Sequence, residues 1–246
     1  MSVQPLQASD LPGLTLDVVP SPKGSNVNVL ILLHGLGDSH ESFTKFGRNI
    51  NLAETTCISV RGFTPVPAVI LGSDAPSFHW TSDIAVDERT GDIDIDGDFS
   101  ASISRLSTLI IDPLMSKLKV PARNIFFFGF GQGGMLALSL LSVHAYSVIE
   151  FGGVISIGAA APSSNITTTA KKRATPILVC GGKKSKVVTN SALQSLKQKF
   201  KDVEYEGWAK PGDGMPASRG EIIPIFKFLG RRLRSRAGVV EGAVEI

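Results

Sequence analysis

The chain has 246 residues, of which 43% are hydrophobic and 19% charged, the balance of an ordinary globular domain near the upper size of a single core. It holds no apolar run of about 18 residues that would predict a membrane-spanning helix, and its start, MSVQPLQASDLPG, lacks the basic and apolar regions of a secretory signal. The formal net charge of +3 is too small to imply a nucleic-acid partner.

In chain order, residues 1–26 read as an N-terminal extension, 27–234 as one α/β domain and 235–246 as a tail. Val27–Leu33, an unbroken apolar run, predicts a parallel strand buried on both faces. It enters the loop His34-Gly35-Leu36-Gly37-Asp38. Ser39–Leu52 predicts a helix capped by Asp38 or Ser39, and Thr56–Val60 the next strand. Residues 61–76 are rich in Gly and Pro and predict an irregular excursion above the sheet, followed by Phe78-His79-Trp80-Thr81-Ser82-Asp83. Cys57 and Cys180 both fall in strand-like runs. Two buried free thiols suit a reducing compartment better than a disulfide, so a cytoplasmic or nuclear location is expected.

Residues 83–98 are acidic. Asp92-x-Asp94-x-Asp96-Gly97-Asp98 resembles the start of a calcium loop, but the closing position, a bidentate Glu in such loops, is Ile103. A solvated loop is the expectation, with no metal. Phe99–Leu118 predicts a helix capped by Asp98 or Ser100 and interrupted at Pro113.

The centre of the chain is Asn124–Leu138, NIFFFGFGQGGMLAL. Ile125–Phe128 predicts a buried strand, four glycines crowd the turn, and Met135–Leu141 continues as helix. Gly129-x-Gly131-x-x-Gly134 also fits the dinucleotide-binding turn. That motif belongs to a first βα unit with an acid ending the second strand. Here the turn is mid-chain and Glu150 follows a helix, so an elbow of the G-x-S-x-G type is favoured. Further strands are expected at Gly153–Ile157, Pro176–Cys180 and Val203–Tyr205. Helices are expected at Thr189–Phe200, capped by Thr189 or Asn190, and at Ile222–Arg234, whose basic last turn suits the helix dipole. The alternation predicts an α/β fold with a mostly parallel sheet and helices on both faces.

LLHGLGD at Leu32–Asp38, Trp80-x-x-Asp83, GFGQGGM at Gly129–Met135 and Gly207–Pro216 together resemble the phospholipase/carboxylesterase group of α/β-hydrolases, which includes the acyl-protein thioesterases. The resemblance implies an α/β-hydrolase fold, an acyl ester or thioester substrate, a Ser-Asp-His triad and no cofactor. It also implies an oxyanion hole from the amides of Leu36 and Gln132. His34 and Gly35 stand beside that hole, and His79 and Trp80 are expected at the pocket mouth, with His34 structural.

All three triad positions depart from the family. The nucleophile is Gly131. The acid's loop, Gly181–Val188, places Lys184 where the Asp is expected, and no Asp or Glu occurs between Glu150 and Asp202. The His position is best matched by Asp213, and no His follows His144. A triad needs a nucleophile, a base and an orienting group, so the expectation is a catalytically inactive hydrolase fold that binds or scaffolds. The alternatives are a serine-independent or weak esterase, for instance through His79 with Asp213, and an acyl or lipid carrier.

Lys183, Lys184 and Lys186 form a basic patch beside the old site, which suits a protein partner or an anionic or acyl small molecule. Asp213 is expected to oppose that field, or to pair with Lys184.

Overall fold

The computed structural model describes residues 5–72, 75–86, 89, 93–160 and 171–236. The first strand, β1 (Leu16–Val19), lies inside the stretch assigned above to an N-terminal extension. It is a half-buried edge strand, antiparallel to β3 (Thr55–Val60), and Leu6, Leu11 and Leu16 are buried with it. The sheet therefore starts before Val27. β2 (Asn28–Leu33) and β3 are buried at every residue. Between them runs α1 (His40–Ile50), with the Ser39 hydroxyl accepting the Glu41 amide and Asn51 ending the helix in the left-handed region.

The excursion above the sheet carries β4 (Thr64–Pro65), a single helical turn α2 (Ala68–Leu71) and β5 (Phe78–His79), with β4 and β5 antiparallel. A second small ladder joins β6 (Ala85–Val86) to β7 (Ile93–Asp94). The helix expected to break at Pro113 runs on through it, as α3 (Ser100–Leu106), a π turn (Ser107–Ile111) and α4 (Asp112–Ser116). Proline has no amide to give the carbonyl four residues back and its ring crowds that carbonyl. The chain solves this by widening one turn rather than ending. Asp98 accepts the Ser100 amide at 2.8 Å in front of α3.

β8 (Ile125–Phe130) leads into α5 (Gln132–Leu140), followed by β9 (Gly153–Ile157) and β10 (Ile177–Gly182). α6 (Asn190–Lys199), capped by Thr189, connects β10 to β11 (Val203–Trp208), and α7 (Arg219–Gly230), capped by Ser218, closes the fold. The seven-stranded sheet has the order β1-β3-β2-β8-β9-β10-β11, parallel except for β1. Side chains alternate between its faces. Val29, Ile31, Leu33 and Phe127 pack into one core with α5, and Leu30, Leu32, Phe126 and Phe128 into another with Phe43 and Phe228. Two covered faces explain why these strands read as unbroken apolar runs.

The basic residues after α7 do more than complement its dipole. Arg231 pairs with Glu204, and Arg232 with both Asp202 and Glu204. The Asn28 side chain, on central strand β2, donates to Arg234 O at 2.8 Å and accepts from Arg234 N at 3.0 Å. Ser235 and Arg236 hold Glu54, so the assigned tail begins against the sheet; residues 237–246 lie outside the described residues.

Candidate functional site

The site is built where β8 ends. Gly131 stands between β8 and α5 at φ 51°, ψ −122°, a backbone that an L-residue adopts only under strain. Its amide donates to Ile157 O at 2.9 Å and its carbonyl accepts from Met135 N at 3.0 Å. A Cβ built there would find nothing nearer than Gly35 Cα at 3.9 Å. A side chain has room in this elbow, and glycine relieves the strain of its backbone. Gly133 is different. A Cβ there would lie 2.2 Å from Leu33 O, so the elbow crosses directly over the end of β2, and only glycine permits that crossing.

Beyond Leu33 the chain turns through His34–Asp38. Gly37 N donates to Phe78 O at 3.0 Å, Phe78 N to Asp38 O at 3.0 Å and Asp38 N to Gly35 O at 3.3 Å. These bonds set the turn without using the Leu36 amide. Gln132 is the first residue of α5, where the amide has no intrahelical acceptor. Both amides thus lack a backbone acceptor among the described residues.

Behind them lies a buried polar network. Gly62 N donates to His34 Nε2 at 2.8 Å, so the His34 proton sits on Nδ1 and is given to Gly35 O at 2.7 Å. Burial pulls the His34 pKa down to about 4, and the ring is neutral and structural. Trp80 Nε1 donates to His34 O at 2.8 Å, and Trp80 N to Gln132 Oε1 at 3.1 Å. Ser102 Oγ donates to Trp80 O at 2.5 Å. The Gln132 and Ser102 side chains went unread in the sequence, since nothing local shows that they meet a residue many positions away.

His79 and Trp80 do not line a pocket mouth. They are 2% and 1% exposed, respectively. Thr81 Oγ1 donates to Asp83 O at 2.7 Å and so receives the proton of His79 Nδ1, 3.0 Å away. Burial lowers the His79 pKa. His34 and Gly35 are buried as well. The open cleft, of about 500 Å³, lies instead outside the turn, lined by Gly37, Asp38, Arg61, Leu71 and Phe78 among others. Among the described residues no hydrogen bond or ion pair joins His79 to Asp213.

Asp213 sits over the ends of β9 and β10. Its Oδ1 accepts the Gly182 amide at 3.0 Å and its Oδ2 the Ser185 hydroxyl at 2.7 Å. Ser185 Oγ in turn accepts from Val187 N and Val188 N, at 3.2 and 2.8 Å. The side chain of the Gly181–Val188 loop that meets Asp213 is therefore Ser185, not Lys184. Lys184 gives only its backbone, donating to Pro211 O at 2.9 Å, and its side chain is exposed like those of Lys183 and Lys186. Among the described residues no ion pair joins Asp213 to Lys184. The double glycine at 181–182 allowed two registers, and counting the G-x-x-D spacing from Gly182 reaches Ser185. Lys210 braces the loop of Asp213 through Gly214 O, Met215 O and Glu221, above the Trp208 ring.

Of the calcium-like stretch, Asp92 lies outside the described residues. Asp94 and Asp96 accept nearby backbone amides, from Asp96 and Gly97 respectively. Among the described residues no group of three or more His, Cys, Asp or Glu side chains is placed to hold a metal, and no helix is long and apolar enough to cross a membrane.

A mostly parallel sheet, with a strand–elbow–helix built on its middle strand β8, defines an α/β-hydrolase fold. The chain belongs to the phospholipase/carboxylesterase family, whose model matches residues 14–219. A protein of Schizosaccharomyces pombe described as an uncharacterized hydrolase is 30% identical over 221 residues, 89% of each chain. A probable carboxylesterase of Oryza sativa subsp. japonica is 27% identical, over 91% of this chain and 86% of its own. The crystal structure of Zea mays acyl-protein thioesterase 2 superposes with a TM-score of 0.65 at 20% identity, covering 90% of this chain and all of the other.

Proposed function

We propose that this chain is a non-catalytic member of its family that holds an acyl carbonyl group on the Leu36 and Gln132 amides and presents the bound ligand, or the surface around it, to a partner. The observation that carries this reading is Gly131, which keeps the elbow conformation while lacking any atom able to attack. Its two would-be helpers form a carboxylate–hydroxyl couple, Asp213 with Ser185, which has no imidazole to shuttle a proton. The Asp213 charge is met by an amide and a hydroxyl rather than a cation. A neutral carbonyl is then a better guest than a carboxylate at the neighbouring amides. The exposed Lys183, Lys184 and Lys186 favour an acidic surface on the partner. A reducing compartment, cytoplasmic or nuclear, suits Cys57 and Cys180, which are buried and free, their thiols pushed up to about 12 by burial.

The purified protein is expected to leave p-nitrophenyl acetate and acyl thioesters at the buffer rate and to ignore a fluorophosphonate probe. Decanamide is expected to raise its melting temperature more than decanoate does, and Gly131→Leu to abolish that shift. Stoichiometric labelling by the probe, traced to one residue, would overturn the reading in favour of a serine-independent hydrolase.

A further inference from the structure

A recess of about 540 Å³ lies at the end of α5 remote from the elbow, between α5, the turn that follows it and the α3–α4 helix. Its shape begins with Pro113. The π turn that accommodates this residue closes through Asp112 N donating to Ser107 O, a step of five residues. Widened turns of this kind recur at binding sites. Tyr146 donates to Asp112 Oδ1 at 2.8 Å, which fixes the carboxylate and leaves Oδ2 without a hydrogen bond among the described residues.

Facing it from α5 and the turn beyond are Ser139, 1% exposed, and Ser142. Both hydroxyl oxygens are buried and have no partner. Buried hydroxyls are nearly always paired, and a third one, Ser107 Oγ, lines the recess and is likewise without a hydrogen-bond partner, so the recess offers a set that a bound group would complete. Ile103 and Val143 give the recess apolar wall. Its described lining carries one carboxylate and no Lys, Arg or His, which sets a negative local field.

We infer that this recess binds a primary alkylammonium group, whose N–H donors reach Asp112 Oδ2 and the oxygens of Ser139 and Ser142 while its stem lies along Ile103 and Val143. An ammonium carries three donors and no acceptor, which matches one free carboxylate oxygen and two hydroxyls able to accept. Such a group comes either from a small free amine or from a lysine side chain of another polypeptide. Neither depends on the elbow site.

The test follows backbone amide shifts of Ser139, Ser142 and Tyr146 by NMR during titration with n-butylammonium, Nα-acetyl-lysine N-methylamide and 1-pentanol. Saturable shifts are expected with at least one of the amines, at least tenfold weaker with pentanol. Asp112→Asn retains an acceptor for Tyr146 and is expected to weaken the better amine tenfold or more. Ser139→Ala is expected to weaken it less. Tighter binding of the lysine derivative points to a polypeptide source, and tighter binding of butylammonium to a free amine. Equal affinity for pentanol, no saturable shift with either amine, or a folded Asp112→Asn protein that binds as the wild type does would each overturn the inference.

Discussion

The two halves of the candidate site are held in different ways. One half consists of backbone: the turn after β2, the elbow, and the buried network of His34, Trp80 and Gln132 behind them. The other, where the proposed function finds no working triad, consists of side chains on a turn and two loops, at Gly131, Ser185 and Asp213. A change in the first half strains the core, as the 2.2 Å approach at Gly133 shows. A change in the second alters what an exposed loop presents and leaves the sheet untouched.

The sharpest way to break this contrast is to build a full triad onto the backbone half. Gly131→Ser, Ser185→Asp and Asp213→His together are expected to restore fluorophosphonate labelling. They are also expected to raise p-nitrophenyl acetate turnover by at least about 100-fold over Gly131→Ser alone, since triad members act as a unit. A triple variant that folds yet matches the single one would mean that the amide half is no longer in register.

Stability should separate two glycines that stand two positions apart. Gly133→Ala drives a methyl into Leu33 O and is expected to cost about 3 kcal/mol or more in urea unfolding. Gly131→Ala meets open space and only the backbone penalty, about 1–2 kcal/mol. Equal losses would place the elbow's rigidity in its conformation rather than in its crossing of β2.

A pH series addresses the network behind the amides. His34 is held near 4 in the fold against an ordinary 6.5, so the unfolded chain takes up its proton first as pH falls. The stability this burial protects is complete above pH 6.5 and drains away towards pH 4. A shift of this size corresponds to about 3 kcal/mol. Urea midpoints between pH 7 and 4 are expected to fall less steeply for His34→Gln than for the wild type, and identical slopes would reject the assignment.

Much of the fold is legible in the sequence because a parallel sheet covered on both faces writes itself as apolar runs. The glycine-rich turn likewise announces the elbow. β1 escaped notice because an edge strand of four half-buried residues carries too short a pattern. Pro113 was read as a break because that reading allows only the four-residue helical step, and the π turn takes five. At the site, order along the chain brings forward Gly131 and Asp213 as candidates, and the paired glycines at 181–182 bring forward Lys184 where the side chain that meets Asp213 is Ser185. His79 and Trp80, expected at the pocket mouth, have their polar atoms satisfied inside, by Thr81, Gln132 and the His34 carbonyl, contacts that no local pattern announces.

The clasp between Asn28 and Arg234 joins residues 206 positions apart. During synthesis β2 emerges early, and the Asn28 amide then has only Glu54 O, 3.3 Å away in the finished fold, to hold. Its remaining bonds must wait for almost the whole chain to leave the ribosome. The Asn28 side chain is therefore among the first parts of the molecule to be made and among the last to be fastened.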